Sequence, residues 1–479
     1  MSNDVSTKTK TILAMTPNWQ MCNALLGGTR TMREANQEYL PKWPSETDKG
    51  YTLRLAVSTL YPAYSHTVSV LAGKPFAREV GLSEDMPEQM KTWMKDVDME
   101  GRNIDMLAAE AMEILLGKGM VHIVVDYPAV PPGLSVEGEK AMNARPYMAL
   151  VHPDQVLGSK DKHGALTQVR YEEKIVEDEG NFGEKPIKQI RVLEPTKWGK
   201  WRVPEGAAEP GKAGGWVEVE SGPITLGEVP MVTAYGKRVK FMVSKPPMLE
   251  LAYQNVKHWQ SQSDQDNILH VSRVPILTVS GVNDSFNLVL GSNAAVKLPV
   301  GAVMAYTEHS GASIGAGKVS LDDLKEEMRQ TGAEMMVIRP SARTATEVSS
   351  EDSATMSELQ RITLGLQDAL NTALGMMAKW GKLPKGGEVT LFNEFGALAL
   401  GDASAALVLQ ASAAGVLSKE TAFAELKRRG TLDPMADWND EQDRLAGEGP
   451  PEPPEGKIDP LTGLPYDKPV PPVVKPTVQ

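Results

Sequence analysis

RPSARTATEVSSEDSAT, residues 339–355, lies between two stretches that read as amphipathic helices. It opens with two arginines and then turns to hydroxyls and carboxylates. It is too polar for a core and longer than the ~2–8 residues that most helix connections need. Before it, Ser320 and Asp323 form a box-like N-cap, and Leu321, Leu324, Met328 and Met335 make a narrow apolar stripe. The other face of that helix carries Asp322, Asp323, Glu326, Glu327 and Glu334 and is expected to be strongly acidic. After the loop, Thr355 and Glu358 read as a capping box. Leu359, Ile362, Leu366, Leu370, Ala373 and Met377 then carry a stripe to the stop at Gly381 and Pro384. The spacing predicts a helix of more than about 25 residues, some 37 Å at 1.5 Å per residue.

Working toward the N-terminus, Met248, Ala252, Val256 and Trp259 mark one face of a helix over 247–270, with Gln, Ser, Asp and Asn opposite. Between it and the acidic helix, PILTVSG, NLVLG and AVKLPVGAVMAYT read as a short β region. Residues 120–245 alternate apolar and polar between Gly, Pro and Asp turns, which predicts a modest antiparallel domain. Ile104–Leu116 and a segment near 87–97 read as helices. So does the run from Tyr51 to Leu71, which Pro62 must kink or divide. Residues 1–18 are rich in Ser, Thr, Lys and Asn without periodicity and read as a flexible arm, with order beginning near Trp19. Toward the C-terminus, EVTLFNEF reads as a strand and two Ala-rich helices follow at about 402–415 and 418–429. From about 447 the chain is too rich in proline to pack, which predicts an extended polyproline-like tail.

Composition excludes several functions. With 479 residues the chain can bury a sizeable core, and its formal charge of −12 argues against a general nucleic-acid coat. The single cysteine, Cys22, rules out an intramolecular disulfide framework and reads as a small buried residue in a reducing compartment. No window reaches ~18 consecutive apolar residues and no signal-peptide pattern opens the chain, so neither a membrane span nor export is expected.

Catalytic constellations are missing. HExxH, CxxC and the EF-hand pattern are absent, and the seven histidines include no i,i+3 or i,i+4 pair. ASIGAGKVS, residues 312–320, approaches a phosphate-cradling loop with Lys318 after Gly317. The first glycine is replaced by Ala312 and the metal-binding hydroxyl by Val319, so a glycine hinge leading into a helix fits better. A nucleotide-binding enzyme using Lys318 stays the lesser alternative. The expectation is a non-enzyme with no catalytic residue, no cofactor and no metal.

YLPKWPSETDKGYTLRLAVSTLYPAYSHTVSVLAGKPF and LAYQNVKHWQSQSDQDNILHVSRVPILTVSG carry a resemblance. Together with the element order over about residues 38–430, they resemble the portal proteins of tailed bacteriophages, the head-to-tail connectors. The resemblance implies an α+β portal fold. Its parts would be an arm at 1–18, a wing at 19–246, a first stem helix at 247–272, a clip at 273–318 and a second stem helix at 319–337. A tunnel loop at 338–355, a long wing helix and strand at 356–396, crown helices at 397–446 and a tail at 447–479 would complete it. It further implies a homo-oligomeric ring of about twelve subunits at one capsid vertex of the virion, assembled in the host cytoplasm. That ring would conduct double-stranded DNA during packaging and ejection. Expected partners are the major capsid protein, the large terminase and head-tail adaptor or tail proteins, with no membrane. Arg339, Arg343, Ser341, Thr344 and Thr346 become candidates for DNA contact in the tunnel loop, and Asp322, Asp323, Glu326 and Glu327 for an acidic stem face. Asn283, Asp284, Phe286 and Asn287 become clip docking candidates. A phage structural or binding protein without a channel is the alternative.

Overall fold

The computed structural model describes residues 4–128, 138, 142–204, 215–273, 276–281, 298, 300–307, 312–337, 356–393, 395, 402–428, 432 and 438–448. The chain mixes helix and sheet and divides into two units, Met1–Asn393 and Glu394–Gln479.

The first unit begins with a helix where an arm was expected. Helix α1 (Lys10–Leu26) is capped by Thr9, whose side chain accepts from Ile12 N, and it contains Pro17. Ile12, Met15, Trp19, Cys22 and Leu25 recur at helical spacing and are all buried, a pattern that the internal proline and polar lead obscure. Burial pushes the Cys22 thiol up to about 11, while Tyr64 Oη donates to its Sγ at 3.2 Å. Helices α2 (Gly28–Glu34), α3 (Asp48–Val57) and α4 (Ala63–Gly73) follow. Pro62 divides α3 from α4. Next come strand β1 (Gly81–Leu82), helix α5 (Glu88–Met94) and helix α6 (Ile104–Lys118). Gly119 ends α6 with φ +86°, a left-handed cap that favours glycine.

The β-rich region forms two antiparallel sheets. Strands β2 (Met120–Asp126) and β3 (Tyr147–Val151) are joined by β9 (Met231–Tyr235) in the order β3-β2-β9. The second sheet is a meander of β4 (Val156–Lys162), β5 (Ala165–Glu179), β6 (Gly183–Leu193), β7 (Lys197–Arg202) and β8 (Val217–Pro223). Ile12, Met15 and Trp19 of α1 share one core with Met120 and Val124 of β2, Val151 of β3 and Val169, Tyr171 and Leu193 of the meander. The expected arm is therefore part of the wedge between the two sheets. Strands β10 (Lys237–Lys240) and β11 (Val243–Lys245) form a small hairpin before the next helix.

Helix α7 (Leu249–Ser272), strands β12 (Ile276–Ser280) and β13 (Val303–Thr307), and helix α8 (Ala312–Ala333) follow in order. Strand β12 pairs antiparallel with β13, from Ile276 opposite Thr307 to Ser280 opposite Val303. Helix α9 (Glu358–Trp380) has 23 residues, fewer than expected. Its cap is Ser357 with Gln360, each side chain bonded to the other's backbone N–H, in place of the expected Thr355 and Glu358. All six residues of the predicted α9 stripe are buried, and the helix packs on β9 and β2. Its polar side chains hold the returning chain: Gln360 Nε2 donates to Asn393 O, Gln367 Oε1 accepts from Leu391 N, and Asn371 Oδ1 accepts from Val389 N. The expected EVTLFNEF strand shortens to β14 (Val389–Thr390), paired with β1.

The second unit contains α10 (Asp402–Ala413), α11 (Lys419–Arg428) and α12 (Trp438–Glu448), the last not foreseen. Val408, Ala422 and Leu426 form its small core, and Phe423 lies 5.3 Å from Trp438. The proline-rich tail lies outside the described residues.

Candidate functional site

Helices α7 and α8 form the candidate site. Gln265 Nε2 donates to Ile314 O at 3.0 Å near one end, while His258 and Lys325 both lie against the Tyr61 ring farther along. Residue numbers rise on one helix as they fall on the other, so the pair is antiparallel. At 1.5 Å per residue each helix is about 35 Å long. Leu321, Leu324, Met328 and Met335 are buried, which is the stripe the spacing predicts.

Helix α7 departs from its expected polarity. Alongside Leu251, Ala252 and Trp259, the buried set includes Asn255, His258, Ser263 and Gln265, residues that amphipathicity would place toward water. Each of Asn255, Ser263 and Gln265 has a partner. Pro62 cannot donate, and the break it imposes leaves the Tyr64 N–H without a helical partner and the Tyr61 carbonyl with only Ala63 N, 2.9 Å away. Asn255 satisfies both, donating to Tyr61 O and accepting from Tyr64 N, each at 2.9 Å. Ser58 Oγ donates to Ser263 Oγ at 2.9 Å, and Gln260 Nε2 donates to Tyr39 O at 3.0 Å. Gly317 lets α8 approach, because a Cβ there would come within 2.2 Å of Gln265 Oε1.

Arg54 locks this seat. It binds Glu46 through two N–H groups, both at 2.8 Å, and its side chain is 3% exposed. The guanidinium also lies 4.2 Å from the Trp43 ring centroid. The Arg54 hydrogen bonds hold the Glu46 carboxyl below its ordinary range, while burial raises Asp264 nearby. His258 has neither ring nitrogen bonded, and burial, with help from Lys325, depresses it to about 4.

The acidic residues Asp322, Asp323, Glu326 and Glu327 all lie on the exposed face of α8. The face is less negative than its carboxylates suggest. Asp322 lies 3.7 Å from Lys325 and Glu326 lies 2.7 Å from Arg329, while Asp323 and Glu327 have no ion pair. With Lys318, three cations stand against four carboxylates over Ala312–Ala333, so the expectation of a strongly acidic helix is corrected to one of modest charge. The helix also starts earlier than 319: residues 312–318 are helical, which takes them from the expected clip and hinge. Lys318 accordingly sits within a helix, and residues 312–317, where a phosphate-wrapping loop would lie, are helical. Arg339, Ser341, Arg343, Thr344 and Thr346 lie outside the described residues, as do Asn283, Asp284, Phe286 and Asn287.

The residues that sequence reasoning missed are Arg54, Glu46, Asn255, Gln260, Ser263 and Gln265. One signal was available: a proline within a helical run strands backbone groups, and a buried amide can serve both. Among the described residues no group of three His, Cys, Asp or Glu side chains is placed to hold a metal ion, and no helix is long and apolar enough to cross a membrane.

Residues 247–381 match the family described as "Domain of unknown function (DUF4055)", a span that takes in α7, β12, β13, α8 and α9. No curated protein matches the chain. Among solved structures, the chain is similar to a chain from the neck of an empty gene transfer agent particle computed with C6 symmetry. Identity is 13%, coverage 75% of this chain and 87% of that one, and the TM-score 0.39. It is also similar to a chain from the neck of the native particle computed with C12 symmetry, at 12% identity, 77% and 89% coverage and a TM-score of 0.39. A chain from the virion of the native particle gives 12% identity, 78% and 90% coverage and a TM-score of 0.40.

Proposed function

We propose that this chain is a structural subunit of a tailed-phage or phage-like particle, and specifically a portal: one copy in a ring that conducts double-stranded DNA at a capsid vertex. The observation that supports this best is the antiparallel pair α7 and α8, interrupted by a β12–β13 pair and anchored to the preceding helices by Asn255, Gln260 and Ser263 of α7. A lone amphipathic helix needs only an apolar face against its domain. A helix pair held at one end by specific hydrogen bonds can instead project as a stem, with its outer face free for neighbouring copies and for a channel.

In this reading α7 and α8 are the stem and residues 338–355 the tunnel loop. Arg339 and Arg343 touch phosphates transiently while the carboxylates of α8 keep DNA from sticking. Residues 276–307 belong to the clip, where terminase and adaptor proteins dock, with Asn283, Asp284, Phe286 and Asn287 as contacts. The helices of the second unit form the crown.

The reading is tested by the mass of the purified protein. About twelve copies of a 52.0 kDa chain give rings near 600 kDa with an axial hole. Stable monomers or dimers under assembly conditions count against it, and a closed particle without a hole favours a structural protein without a channel. Deleting residues 341–352 is expected to spare ring assembly and impair DNA packaging or retention.

A further inference from the structure

The segment before α1 builds a groove that neither the fold nor the portal reading uses. Thr9 N donates to Leu157 O at 2.9 Å, which pins the start of the chain to β4. Arg170 on β5 donates to the carbonyls of Val5 and Asp4, and to Thr7 O at 2.9 Å, so its guanidinium holds residues 4–7 as a strap. Gly158 permits this approach, since a Cβ there would lie 2.5 Å from Thr9 Cγ2. Between the strap and the meander sheet lies a cavity of about 820 Å³.

Its lining is basic. Lys8, Lys10, Lys160 and Arg170 face one carboxylate, Asp4, in a protein whose acidic residues outnumber its basic ones, 62 to 50. Among the described residues the three lysines make no ion pair, whereas the cations of neighbouring β7 are compensated: Lys197 by Glu218, Lys200 by Glu220 and Arg202 by Glu177. Asp4 already accepts from Ser6 Oγ at 3.2 Å. Trp201 and Trp216, both half-buried, line the same space. Uncompensated ammonium groups beside flat aromatic surfaces match a ligand that is both anionic and planar. Phosphates satisfy the first property and nucleobases the second, and stacking on an indole is tolerant of base identity. An acidic peptide would answer the lysines and leave the indoles without a role.

We propose that this groove binds a phosphorylated nucleoside unit, with the base on Trp201 or Trp216 and the phosphate between Lys8, Lys10 and Lys160. The same chemistry is offered by a free nucleotide and by single-stranded nucleic acid. The test uses the full-length chain and fluorescein-labelled (dT)8 in an anisotropy titration at low and moderate salt, with dTMP and polyglutamate as competitors. Saturable, salt-sensitive binding is expected. Trp216→Leu should weaken it about tenfold, and Lys8→Glu with Lys160→Glu should weaken it and flatten the salt dependence. Each variant's circular dichroism and melting should match the parent. Competition by dTMP supports the site and assigns it to nucleotides, while binding of the oligonucleotide alone supports it and assigns single strands. The proposal is overturned by absence of saturable binding, by binding that both variants leave unchanged, or by polyglutamate competing as well as (dT)8 with no effect of Trp216→Leu.

Discussion

Asn255 reaches across from α7 to donate its side-chain N–H to the carbonyl of Tyr61, 2.9 Å away, and its Oδ1 takes the N–H of Tyr64 at the same distance. One amide thereby bridges the helix break at Pro62 and ties α7 to the α3–α4 region. Asn255 is fully buried.

Asn255→Leu is therefore expected to leave the Tyr64 N–H unpaired and the Tyr61 carbonyl with Ala63 N alone, and to cost on the order of 1–3 kcal/mol. Urea titration reads this as a lower midpoint with an unchanged slope. A loss no larger than that of an exposed α8 substitution such as Gln330→Ala would show the amide to be dispensable.

Two glycines predict opposite signs. At Gly119 the backbone is left-handed and an added Cβ would stand 2.4 Å from the Lys245 carbonyl, so Gly119→Ala should cost about 2–3 kcal/mol. Gly365 lies inside α9 with nothing within 4 Å of an added Cβ, so Gly365→Ala should stabilise the chain by about 0.5–1 kcal/mol. Melting temperatures of both variants beside the parent decide the signs.

Acid should weaken the fold in two windows. Burial holds His122 and His258 at about 4, below the ordinary 6.5, so the native state keeps them neutral while the unfolded chain takes up protons. Their contribution is complete above pH 6.5 and falls as the pH drops toward 4, by up to about 1.4 kcal/mol per pH unit for each group. Glu46 is shifted down by Arg54, so its stabilisation is lost only below its unfolded range, nearer pH 4. Urea midpoints at pH 7, 5.5 and 4.5 should fall less steeply in His258→Leu than in the parent. Parallel profiles would remove His258 as a source.

On the proposed portal reading, charge on α8 should matter to DNA and not to folding. Asp323 and Glu327 are exposed and unpaired, so replacing both with Lys should change stability by no more than about 0.5 kcal/mol. In assembled particles the same change should slow DNA passage by giving phosphates fixed cations to bind. Unaltered packaging and ejection would remove the lumenal role from this face.

Local pattern alone determined much of this protein. The α8 and α9 stripes, the division at Pro62 and the antiparallel character of 120–245 follow from side-chain period and from the missing proline N–H, both properties of neighbours along the chain. Four features needed the tertiary structure. Residues 10–26 become a helix although Pro17 interrupts their pattern, because two sheets offer Ile12, Met15 and Trp19 a shared core. The cap of α9 moves to Ser357, where Gln360 can return the hydrogen bond. Residues 312–318 join α8 because Gln265 takes the Ile314 carbonyl and Gly317 admits the contact. The polar side of α7 is buried because its partners, Tyr61, Tyr64, Ser58 and Tyr39, are some two hundred residues distant in sequence. Periodicity records which side chains share a face; whether a polar face meets water or a matching set of donors and acceptors depends on what the fold brings opposite it.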